Sequence, residues 1–173
     1  MIFSILLWVA FSSLLSRVSS GLSWSRSFCS MVFWTTSFIT SSVSDCRHIF
    51  RALFSKAYPI NSIRLVDDFD ASDEASMQAN NTSCFNYRTV ARSKTLSKHA
   101  LGLAVDINPL ENPYVKGSFI QPCTATNYVD RKKDFPHKID EDDFCKEVFE
   151  SFGFQWGGYW RSVKDYQHFE KRK

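Results

Sequence analysis

A break in composition near position 45 limits what this chain can fold into. From Met1 to Ser44 there is no Asp, Glu, Lys, Asn, Gln, His, Tyr or Pro, and roughly a third of the stretch is Ser. Most of the remainder is Phe, Leu, Ile, Val and Trp. From Asp45 onward, charged and apolar residues mix as they do in folded proteins. A length of 173 residues suits one domain with a real core and is short for two. The expected organisation is therefore an atypical segment at 1–44 followed by a folded domain at 45–173.

Three readings of 1–44 stand side by side. Ile2 to Phe11 as an apolar core, followed by the small residues Ser19-Ser20-Gly21, fits a secretory signal without its usual positive start. As a membrane anchor the apolar run is too short, because Ser12, Ser13, Ser16 and Arg17 interrupt it. The third reading is a stretch translated in the wrong frame or from a misplaced start. Apart from proline, every missing amino acid has A at the middle codon position, and translating the upstream DNA in the other frames tests this. A signal would send the protein to the cell envelope or outside the cell, and membrane association is expected only from a genuine anchor.

The net charge of +3 is small, and Lys171-Arg172-Lys173 reads as a solvated end, so no nucleic-acid partner is expected. A monomer is expected. Sixteen phenylalanines favour a globular chain over a disordered one. Five cysteines show no CxxC pair, and an odd number leaves at least one free. Cys145 falls on the apolar face of a helix and reads as core. A disulfide among Cys29, Cys46, Cys84 and Cys123 stays open at this point.

Ser44 is placed to cap a helix presenting Ile49, Phe50, Leu53 and Phe54 on one face, ended by Tyr58-Pro59. Ile60 to Val66 reads as a strand with Ile63 and Leu65 pointing one way. Asp67 to Asn81 reads as a solvated acidic loop, since its aspartates lack calcium-loop spacing. Phe85 to Val90 and Leu103 to Ile107 read as strands, the second stopped by Asn108-Pro109. Glu111 to Lys138 is expected to be loop. A clear helix follows, capped by Asp140 and lined by Phe144, Val148, Phe149 and Phe152, with Gly153 at its end. The last strands fall near Phe154–Trp156 and Tyr166–Glu170. Helices and short strands without a βαβ rhythm predict an α+β domain with a small antiparallel sheet and flanking helices.

Two constellations carry chemistry. One is Ser97-Lys98-His99-Ala100-Leu101-Gly102-Leu103-Ala104-Val105-Asp106. The other is Trp156-Gly157-Gly158-Tyr159-Trp160 with Asp165-Tyr166-Gln167-His168-Phe169-Glu170. A catalytic zinc takes three nitrogen or carboxylate ligands and keeps an open position for water. His99, Asp106 and His168 supply that set, with Gly102 letting the backbone fold back closely. Zinc lowers the pKa of its water to about 7, and a carboxylate must then carry the proton to the leaving amine. Asp165 is the candidate and requires a bend before His168, because on a regular strand the two would face opposite ways. Glu170, on the same strand face as His168, is the rival.

Ser-x-His-x-x-Gly-x-Ala-x-Asp, then Gly-Gly-x-Trp and Asp-x-x-His-Phe, closely resembles the zinc D-Ala-D-Ala carboxypeptidase family, with its VanY-type enzymes and L-alanyl-D-glutamate endopeptidases. The likeness runs from about Asp45 to Lys171. It implies His99, Asp106 and His168 as zinc ligands, Asp165 as the catalytic carboxylate and Arg88 as the partner of the substrate carbonyl. It further implies Ser97, Trp160 and Tyr166 along the substrate pocket, although both aromatics also fit a core role. The implied fold is that of the Hedgehog signalling domain and the DD-peptidases, and the implied substrates are peptidoglycan stem peptides containing D-amino acids. A non-catalytic zinc-binding module of the same fold is the alternative, and Asp165 with Arg88 argues against it. Two departures stand out. Residues 1–44 lack the polar, strand-forming character usual for the family, which would leave the sheet short of strands. His137 stands where a glycine turn is usual, and reads as a loop histidine rather than a fourth ligand.

Overall fold

A computed structural model describes residues 44–90 and 93–171. The expectations for residues 1–43, including any missing strands of the sheet, lie outside the described residues. Three helices and eight short strands form an α+β fold: α1 over residues 44–55, α2 at Asp73–Gln78 and α3 at Phe144–Ser151. The strands are β1 (Ser62–Ile63), β2 (Asn81–Thr82), β3 (Ala104–Asp106), β4 (Tyr114–Lys116), β5 (Phe119–Gln121), β6 (Phe154–Trp156), β7 (Lys164–Asp165) and β8 (His168–Lys171). They assemble as a parallel pair β1-β2 and two antiparallel sheets, β3-β8-β6 and β5-β4-β7. Among the described residues no helix is long and apolar enough to cross a membrane.

The β3-β8-β6 sheet separates core from site by strand alternation. Val105, Phe169 and Trp156 sit opposite one another across the three strands and turn into the core. There Phe149 of α3 stacks on Phe169 with ring centroids 4.2 Å apart and meets Phe154 edge-on at 5.3 Å. Ile49 and Leu53 of α1 join this cluster. Asp106 and His168 are directly opposite on the other face. Phe149 is fully buried, so Phe149→Ala is expected to cost about 3–5 kcal/mol. Chemical denaturation measures this, and a loss under about 1 kcal/mol would remove this packing from the account.

Several expected elements differ in detail. Phe54 is 71% exposed, because five residues from Ile49 turn it well off the buried face, where Cys46 lies instead. Ser44, expected as a cap, is already helical. The strand expected over 60–66 shrinks to Ser62–Ile63, Ile63 and Leu65 are exposed, and Val66 begins a 3-10 turn. The supposed acidic loop holds α2, whose first turn is closed by Ser72 Oγ accepting from the Ala75 N–H at 3.2 Å. Phe85–Val90 is not a strand: Thr89 makes a single bridge to Leu96. The stretch expected as loop after Glu111 contains the β4-β5 hairpin, turning at Gly117-Ser118 with Gly117 at φ +59°. Asp143, not Asp140, caps α3 by accepting from the Cys145 N–H at 2.7 Å, while Asp140 closes the preceding turn. Cys145 is buried in the core as expected.

Candidate metal centre

His99 enters from the turn before β3. The Ser97 hydroxyl accepts from the His99 N–H at 3.2 Å, and Gly102, at φ +65°, returns the chain to the strand. Asp106 ends β3, and His168 opens β8 opposite it. All three are buried. His99 Nε2 lies 3.2 Å from His168 Nδ1 and 3.2 Å from Asp106 Oδ2, and His168 Nδ1 lies 2.9 Å from Asp106 Oδ1. Tetrahedral zinc with ordinary bond lengths spaces its donor atoms about 3.3 Å apart, so these side chains converge at the required scale.

The outer nitrogens decide which lone pairs face inward. His99 Nδ1 lies 2.8 Å from the Cys84 carbonyl oxygen, which can only accept. The proton is therefore on Nδ1, leaving the Nε2 lone pair free. His168 Nε2 lies 3.4 Å from Glu170 Oε2, and that contact holds the Glu170 carboxyl below its usual range. A carboxylate there takes the Nε2 proton and frees Nδ1. Each imidazole is thus oriented by an acceptor behind it, as metal-ligating histidines usually are. Burial alone would raise the Asp106 carboxyl, but His99 and His168 outweigh it and hold Asp106 ionised. Two neutral imidazole nitrogens and one carboxylate suit zinc, and this is the group of His, Cys, Asp and Glu side chains among the described residues that could hold a metal.

Ala104 shares the Asp106 face and sits opposite Glu170, which assigns Glu170 to orienting His168. Glu170→Gln is expected to weaken zinc affinity about 10–100-fold. Competition titration with a chromophoric chelator measures it, and unchanged affinity would deny Glu170 that role.

Asp165 comes from the other sheet, at the end of β7 opposite Tyr114. The turn at Tyr166-Gln167 between β7 and β8 supplies the bend the sequence demanded. As a residue Asp165 is half-buried, yet its Oδ1 is shut from solvent without a hydrogen-bond partner. Burial pushes its carboxyl up to about 6, against the opposing pull of nearby His168. The Gly-Gly motif exists to admit it: a Cβ on Gly157 would fall 2.6 Å from the Asp165 carbonyl oxygen, and one on Gly158 would strike the Trp156 ring at 2.3 Å.

Trp160 lies beside the centre, its ring centroid 5.4 Å from that of His168. Tyr166 packs on the Arg131 guanidinium, 4.3 Å from its ring centroid, and on the core cluster. Arg88 pairs with Asp73 of α2 (Nη2–Oδ2 3.0 Å), while its Nε is buried without a hydrogen-bond partner. Asp73 also accepts from Asn86 at 2.9 Å. Asp73 and the Cys84 carbonyl escaped the sequence reading, the first because it sat in a presumed loop, the second because a backbone group leaves no residue signature. His137 adopts φ +62°, the left-handed turn a glycine would fill, with Nδ1 3.8 Å from Glu111.

Residues 91–171 match the D-alanyl-D-alanine carboxypeptidase family, a span that holds all three converging side chains and Asp165. This stretch is a D-alanyl-D-alanine carboxypeptidase family domain. That family implies the Hedgehog and DD-peptidase fold, in keeping with the α+β architecture described above. No curated protein and no solved structure gave a significant match.

Proposed function

We propose that this protein is a zinc metallopeptidase that hydrolyses peptide bonds involving D-amino acids in peptidoglycan peptides. The observation that carries the reading is the buried convergence of His99, Asp106 and His168, each imidazole oriented by an acceptor behind it. Zinc held there supplies a Lewis acid and an activated water at neutral pH. Asp165, with its raised carboxyl and unpaired Oδ1, takes up a proton and returns it to the leaving amine. The buried Nε of Arg88 is a fixed donor for the substrate carbonyl as negative charge develops on its oxygen. Trp160 forms a wall beside His168.

The test is a panel of D-Ala-D-Ala dipeptide, an L-Ala-D-Glu peptide and purified peptidoglycan. Release of free D-alanine identifies a carboxypeptidase, and a new amine at D-glutamate an endopeptidase. One tightly bound zinc without turnover on any of the three would instead support a binding module.

A further inference from the structure

Five cysteines left the disulfide question open in the sequence, and the fold answers it. Among the described residues, Cys145 is buried with its thiol against the Tyr58 hydroxyl, and Cys123 is exposed with Sγ accepting from Gln78 Nε2 at 3.4 Å. Cys46 of α1 and Cys84, two residues beyond β2, differ from these. Their thiols lie within hydrogen-bonding reach of each other, Cys46 belongs to the core cluster and Cys84 packs against that cluster. We propose that Cys46 and Cys84 form a disulfide that staples α1 to the segment bracing the metal centre. That segment braces two ligands at once. The Cys84 carbonyl accepts from His99 Nδ1 at 2.8 Å, and Ser83 exchanges both backbone hydrogen bonds with Asp106, at 3.0 and 2.8 Å.

The two thiols lose two protons and two electrons. Oxidised glutathione accepts them, its own S–S bond breaking to give two glutathione thiols as the Cys46–Cys84 bond forms. Contact with Cys46 and burial raise the Cys84 thiol well above its usual range, so the folded, reduced protein holds little reactive thiolate. The bond therefore forms as the chain folds rather than afterwards.

The experiment refolds the full chain from denaturant in a glutathione redox buffer and maps its peptides without reduction. The expected result is one linked pair, the Cys46 peptide joined to the Cys84 peptide. The melting temperature should rise by roughly 5–15 °C over the reduced protein, and Cys84→Ala or Cys46→Ala should abolish that rise. Where a variant fails to fold, the wild-type map still decides. Thiols at both positions that remain open to alkylation after refolding overturn the proposal, as does a bridge from either to Cys29, Cys123 or Cys145. No readout here depends on hydrolysis, so failure of this proposal and failure of the peptidase reading are distinguishable.

Discussion

His168→Ala is expected to abolish stoichiometric zinc binding and to lower hydrolysis on the order of 10³-fold or more. His168 Nδ1 is one of only three converging donors, and Asp106 faces it at 2.9 Å across the β3-β8 pairing. Its loss leaves a two-ligand site and removes the Lewis acid, which contributes several kcal/mol to stabilising developing charge. Asp106 keeps His99 as a partner at 3.2 Å, so the fold should survive sufficiently for the comparison. Metal content by atomic emission and turnover on the preferred peptide provide the two readouts. Full zinc content with full activity would remove His168 from the ligand set.

Asp165→Asn should separate chemistry from metal binding. The change is nearly isosteric and keeps the contact with Gly157, yet the amide cannot take a proton. The rate is expected to fall about 10²–10⁴-fold, with zinc content and melting temperature unchanged. Unaltered turnover would return the proton-transfer role to Glu170. Loss of zinc together with rate would make Asp165 a positioning residue for His168. The two variants thus fail in different ways, one losing metal and the other only rate.

The contrast between these sites and the rest of the fold shows what a sequence carries. His99, Asp106 and His168 were legible because ligand chemistry restricts residue type, and Gly102 and Ala104 marked the tight return and the open strand face between them. The long helix at Phe144–Ser151 was legible from its spacing, although Asp143 rather than Asp140 caps it. Strands of two or three residues carry too little alternation to be read, so the hairpin at Tyr114–Gln121 passed for loop. Helix α2 has only six residues, and its Ser72 cap with Asp73 and Glu74 resembled an ordinary polar loop. The pairing of Arg88 with Asp73 and the support of His99 by the Cys84 carbonyl join segments whose proximity only the fold creates.

Zinc dependence of hydrolysis tests the central claim most directly. Turnover of the preferred peptide is followed before chelation, after chelation and dialysis, and after addition of one equivalent of zinc. Three donors at one point predict one zinc per chain, with activity lost on its removal and recovered on its return. Hydrolysis that persists at full rate in the metal-stripped protein would contradict the account.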